Sequence, residues 1–165
     1  MLTLLLALSL TDAAHATEVG TYKKLGLGVA TGLPYVSLTG KIYLTDEAGF
    51  AGYVGTEFEA HYVRVAYQRE FKELQNWDWS RLDMYWQLGL DAGIQTQNFG
   101  YVGGYLMPYG GLGAELQFHE VPAQVFLELG LGPSVLNTYC HAAGKVNDGL
   151  CWVDVNGAFG GRWYF

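Results

Sequence analysis

Along most of this chain apolar side chains recur at every second position, the pattern of strands whose two faces meet different surroundings. The last stretch shows it most clearly. From Val153 to Phe165 one parity carries Val153, Val155, Gly157, Phe159, Gly161, Trp163 and Phe165. The other carries Asp154, Asn156, Ala158, Gly160, Arg162 and Tyr164. Seven earlier segments read in the same way. The first, Tyr22 to Ala30, sets Leu25, Leu27 and Val29 against Gly26, Gly28 and Ala30. The second, Tyr35 to Leu44, sets Val36, Leu38, Ile42 and Leu44 against Ser37, Thr39, Lys41 and Tyr43. The third, Gly49 to Glu57, alternates poorly, and its facing stays open. The fourth, His61 to Phe71, has Val63, Val65, Tyr67 and Phe71 on one side, and Arg64, Ala66 and Gln68 on the other. Arg69 falls on the apolar parity, near an end from which it can snorkel. The fifth is regular: Leu82, Met84, Trp86, Leu88 and Leu90 alternate with Asp83, Tyr85, Gln87, Gly89 and Asp91. The sixth, Leu106 to Phe118, contains Pro108, where a lost ladder bond predicts a bulge or local disruption. In the seventh, Val125, Leu127, Leu129 and Leu131 oppose Phe126, Glu128, Gly130 and Gly132.

Eight such strands, apolar on one face and polar or small on the other, predict an all-β, eight-stranded antiparallel up-and-down transmembrane β-barrel with its apolar face to lipid. The connections alternate in character. Asp46 to Gly49 and His119 to Pro122 are tight, and Glu73 to Ser80 is somewhat longer. Thr31 to Pro34, Thr56 to Ala60, Thr96 to Gly104 and Asn137 to Leu150 form the other set. Short periplasmic turns and longer outer loops are expected of such barrels. Composition agrees: 50% hydrophobic and only 15% charged, with no long apolar run after the N-terminus, so helical spans are not expected. The 23 glycines disfavour helices and suit a narrow interior.

The N-terminus divides the chain. Met1 to Leu10 is almost wholly apolar, and Ala14-His15-Ala16 has the small-x-small form of a signal-peptidase site. Residues 1–16 are therefore expected to be a signal peptide and residues 17–165 the barrel domain. No Lys or Arg precedes the apolar stretch, which leaves the true start codon open. A buried N-terminal helix is the competing reading of these residues.

Leu25-Gly-Leu-Gly28 and Ser37 to Leu44 (S-L-T-G-K-I-Y-L) resemble the opening of small OmpA-like and OmpX-like outer-membrane barrels. Val125 to Leu129 and the closing Gly160 to Phe165 resemble the same family. The resemblance implies residence in the outer membrane of Gram-negative bacteria. It also implies that the terminal Trp163, Tyr164 and Phe165 act as an assembly signal for the barrel assembly machinery. Expected partners are outer-membrane lipid, lipopolysaccharide and an unidentified surface ligand, with the protein a monomer. No peptidoglycan-binding domain is expected after the last strand.

Within a barrel the inward parity gathers Lys41, Arg64, Asp83, Asp91, Glu115, Glu128, Asp154 and Arg162. Eight-stranded interiors are largely filled by side chains, so these groups are expected to pair as a structural network. A narrow pore or proton path is the alternative, because charged linings set selectivity in wider pores. Cys140 and Cys151 share the last outer loop, which in an exported chain favours a disulfide. His141 beside Cys140 keeps a metal site open. Catalysis has little support. A hydrolase needs Ser, His and an acid close together, and His61, His119 and His141 fall in different connections or strand ends. A lipid A-modifying enzyme is the least favoured reading. No cofactor motif occurs, and a net charge of −7 argues against nucleic acid. The expected function is a non-enzymatic structural or surface-interaction role.

Overall fold

The computed structural model describes residues 19, 24–32, 36–57, 60–96, 102–137 and 153–165. The expected signal peptide, and Cys140, His141 and Cys151, lie outside the described residues. The strands are β1 (Leu25–Thr31), β2 (Val36–Tyr43), β3 (Ala48–Glu57), β4 (Ala60–Asn76), β5 (Ser80–Thr96), β6 (Val102–Phe118), β7 (Ala123–Pro133), β8 (Leu136–Asn137) and β9 (Val153–Tyr164). Each pairs antiparallel with its neighbour, and β1 with β9 closes the ring. The two-residue β8 continues the line of β7 along β6, so the wall has eight strands. No helix occurs among the described residues.

Register fixes the shape of the barrel. Leu25 lies opposite Ile42, and the line continues through Phe50, Tyr67, Leu88, Gly110, Leu131 and Val155. The β1–β9 register, with Gly26 opposite Tyr164, is offset from that line by ten residues. That stagger over eight strands tilts them by roughly 40° from the barrel axis, given ordinary strand spacings. The start of β1 and the end of β9 lie at the same rim as the turns 44–47, 77–79 and 119–122, here called the turn end.

The barrel is inside out compared with a water-soluble domain. Leu27 (54% exposed), Leu88 (58%), Leu129 (65%) and Val155 (65%) stand on the outer face, while Lys41, Glu115 and Arg162 are buried within. On β5 the apolar outer face runs from Met84 to Ile94, about 25 Å along the axis at that tilt, the height of a membrane-facing band. Aromatic side chains ring its turn end. Phe50, Tyr67 and Trp86 touch in sequence at 5.6 Å between ring centres, Trp77 stacks on Trp79 at 5.8 Å, and Trp79 meets Phe118 at 6.0 Å.

Three elements depart from the pattern read in the sequence. β3 has a definite facing, with Ala51 and Tyr53 inward and Phe50 and Val54 outward. Gly49, Gly52 and Gly55 blur its alternation because they carry no side chain on either face. Pro108 leaves the β5–β6 register unbroken, at Leu90 opposite Pro108. The irregularity falls on the opposing strand instead. Between Leu131 and Leu136 that strand holds one residue more than β6 does between Gly110 and Leu106. This is a bulge at Pro133–Val135, bridged by the Val135 N–H donating to the Leu106 carbonyl at 3.0 Å. Finally, the connection expected over Glu73 to Ser80 is mostly strand. β4 runs to Asn76 and only Trp77–Trp79 turn, with the Trp77 N–H donating to the Ser80 carbonyl at 2.8 Å. Two register shifts in this hairpin scramble the alternation there.

The lumen as candidate functional site

Large rings fill the interior by lying over glycines of neighbouring strands. A Cβ on Gly26 would sit 2.7 Å from the Tyr164 ring, one on Gly160 2.7 Å from Phe126, and one on Gly89 2.8 Å from Tyr109. Tyr85 covers Gly113 in the same way. The glycine content therefore makes room for these rings, and the Tyr85 hydroxyl then reaches Glu128 and the Tyr164 hydroxyl Gln124.

The ionisable residues form three tiers. Nearest the turn end, Lys41 Nζ pairs with Glu115 Oε2 at 2.7 Å and lies 4.3 Å from the centre of the Tyr43 ring. The Tyr43 hydroxyl and Gln117 Nε2 donate to Glu115 Oε1 at 2.8 and 2.9 Å. At the same rim Arg81 meets Asp83 at 2.6 Å and Glu70 at 3.4 Å. In the middle tier Glu128 Oε1 accepts from Tyr53 (2.5 Å), Tyr85 (2.7 Å) and Gln68 Nε2 (2.8 Å). Arg162 is 3.8 Å from that oxygen. Its guanidinium donates to Thr39 Oγ1 at 3.0 and 3.1 Å and to the Tyr53 hydroxyl at 2.6 Å, and it lies 3.8 Å above Phe126. In the third tier Arg64 holds Asp91 through Nη2 and Nε at 2.8 and 2.9 Å, and Tyr105 donates to Asp91 at 3.0 Å.

Seven of the eight charges expected in the lumen are thus placed, six of them in these pairs. Lys41 with Glu115, Arg64 with Asp91, and Arg162 with Glu128 are brought together; Asp83 instead pairs with Arg81 at the rim. Asp154 lies on β9 opposite Gly132, and its side chain is outside the description. Sequence reasoning missed Glu70 and Arg81. Both share the inward parity of β4 and β5, but Arg81 precedes the point where the fifth strand was read to begin. The tyrosine and glutamine partners, among them Tyr53, Tyr85 and Gln68, were also missed as a set. The signal available was their common parity with the acids.

The C-terminal aromatics divide between the faces. Trp163 and Phe165 are exposed on the outer side, and Tyr164 is fully buried, donating to Gln124 Oε1 at 2.7 Å. Among the described histidines, His61 lies on β4 opposite Thr56 and Ile94, and His119 lies at the opposite rim, its Nδ1 3.1 Å from the Asp78 carbonyl. No group of three or more metal-ligating side chains occurs among the described residues.

A closed antiparallel wall, apolar outside and ion-paired inside, is the architecture of small outer-membrane barrels. No family model and no curated protein matches the chain by sequence. A solved structure with this fold is the N-terminal β-barrel domain of Pseudomonas aeruginosa OprF. It aligns at a TM-score of 0.51 and 14% identity, over 86% of this chain and 96% of that one. The eight-stranded fold expected from the OmpA-like and OmpX-like resemblance is therefore the fold this chain has.

Proposed function

We propose that the protein is a monomeric integral barrel of the bacterial outer membrane with a structural or surface-interaction role and no catalytic activity. The observation that carries this reading is the inversion of polarity: the wall's outer face is leucine, valine and aromatic, while the lumen is occupied by paired charges. In this reading Trp163, Tyr164 and Phe165 address the chain to the assembly machinery, and lipopolysaccharide surrounds the loop end. Folded protein should resist SDS at room temperature and change mobility on boiling, because a closed ladder has no edge to fray. Identical mobility with and without boiling, or a mainly helical far-UV circular dichroism spectrum in detergent, would remove the basis for the reading.

A narrow conducting path is the second reading, and one observation favours it. Glu128 Oε2, Gln68 Oε1, Gln87 Nε2 and both amide atoms of Asn156 are buried without a hydrogen-bond partner among the described residues. Such atoms call for water between the tiers. Planar-bilayer recording separates the two readings: discrete conductance steps would support the path, and a silent bilayer the filled interior.

A further inference from the structure

The wall has a notch at the turn end. β3 stops where Ala48 faces Arg69, but β4 continues to Asn76, so one edge of its last turnward stretch has no neighbouring strand. Among the described residues, the one backbone bond taken up from that side is the Glu70 N–H donating to the Glu47 carbonyl at 2.8 Å. The register shifts of this hairpin lie within the same stretch. Beside this edge is a cavity of about 610 Å³ lined by Arg69, Glu70, Phe71, Lys72, Glu73 and Trp86, among others. That volume is in the range of small-ligand sites.

Its charges fall into two sets. Arg81, Asp83 and Glu70 satisfy one another on the lumen side. Arg69, Lys72, Glu73 and Glu47 are exposed, and none is part of an ion pair among the described residues. With Asp46, which also lines the cavity, two cations and three acids therefore face one opening, beside the exposed ring of Phe71 and the partly buried Trp86, at the turn-end edge of the apolar band. Arg69 sits on the outer parity, in line with Trp86 across β5. Guanidinium and ammonium groups recognise phosphate, and carboxylates accept from a primary ammonium. The flanking rings suit the start of acyl chains.

We infer that this notch binds the headgroup of a phospholipid carrying both a phosphate and a primary ammonium, as phosphatidylethanolamine does. The inference rests on the membrane reading above. Its test is native mass spectrometry of the full-length protein, released from mixed micelles containing phosphatidylethanolamine, phosphatidylglycerol and phosphatidylcholine of matched chains. The wild type should retain phosphatidylethanolamine roughly tenfold over either of the others, the scale of one charge-assisted contact. Arg69→Gln combined with Lys72→Gln should lower retention of all three lipids. Glu73→Gln should abolish the preference for the primary amine while leaving phosphate-dependent retention in place. Equal retention of the three lipids by the wild type overturns the inference, as does a preference that survives both variants, or adducts of peptide rather than lipid mass. Vesicle insertion and cold-SDS mobility are measured on every sample. Wild-type protein that inserts but shows no lipid preference defeats the notch alone. Wild-type protein that does not insert defeats the membrane reading and the notch with it. The exposed Glu73→Gln keeps the test decisive if the double variant fails to fold.

Discussion

Glu128 is the acid on which the middle of the lumen converges, and its replacement gives the sharpest test of the ion-paired interior. Glu128→Ala removes the acceptor used by Tyr53, Tyr85 and Gln68 at 2.5, 2.7 and 2.8 Å. It also strips Arg162, whose side chain is fully buried, of the carboxylate 3.8 Å away. Breaking one side of a buried pair typically costs about 3–5 kcal/mol. Three donors left unsatisfied argue for more, at about 1–3 kcal/mol each. Against that, the guanidinium keeps Thr39, and a water can enter the space vacated by the carboxylate. A loss of about 3–5 kcal/mol is therefore expected for Glu128→Ala. Glu128→Gln keeps an acceptor oxygen and places its new amide where Oε2 has no protein partner, so no existing bond is broken there. Its cost is expected nearer 1–2 kcal/mol, roughly that of one weakened charge-assisted bond. The assay is urea-dependent unfolding in phospholipid vesicles, followed by tryptophan fluorescence and checked by cold-SDS mobility. If the Ala and Gln variants were equally stable, or both lay within about 1 kcal/mol of wild type, the argument that Glu128 holds the tier together would be wrong.

Two further substitutions probe the outer face and the seam. Leu88 lies near the middle of the apolar band on β5, so Leu88→Arg should cost about 2–4 kcal/mol in vesicles, whereas Leu44→Arg at the rim should cost about 0–1; equal costs would contradict the placement of the band. A Cβ on Gly28 would run into the β9 backbone at Gly161 and Arg162, so Gly28→Ala should lose about 1–3 kcal/mol. Gly40→Ala, which would meet only the Leu27 side chain at 3.3 Å and the Gly26 carbonyl oxygen at 3.4 Å, should be milder in the same unfolding assay, and a reversed order would be evidence against the close approach at the seam.

The period-two signal made most of the wall legible, because an apolar outer face and a polar lumen impose opposite demands on successive residues. It worked where both faces carry side chains, as on β2, β5 and β7. It failed on β3, where glycines leave gaps on both faces, and beyond Phe71, where the register shifts make Lys72 and Leu74 depart from the parity of Val63 and Val65. The inward charges were legible as a group, but their partners were not. Lys41 and Glu115 are on β2 and β6, distant in the chain and on opposite sides of the ring. Which residues meet there depends on the stagger of the whole barrel, and a single strand carries no record of it. The rim pair escaped for simpler reasons: Arg81 falls between the connection ending at Ser80 and the strand beginning at Leu82, and Glu70, within the strand His61 to Phe71, was passed over although it shares the inward parity of Arg64 and Gln68.

The seam between β1 and β9 joins the two ends of the chain, with Gly26 opposite Tyr164 and the Phe165 N–H donating to the Leu25 carbonyl at 2.9 Å. Until β9 has been synthesised, β1 has no second neighbour and β7 has only one, and each leaves a row of unpaired backbone groups. Hydrocarbon penalises such rows heavily. On the proposed membrane reading, insertion strand by strand as the chain emerges from the ribosome is therefore disfavoured, and the polypeptide is delivered whole. Closure of contacts this remote in sequence is also slow. In the proposed outer-membrane setting, a chain with leucine-lined strands therefore waits unfolded before insertion. On that reading its survival in the interval calls for a holder that masks those strands without letting them pair.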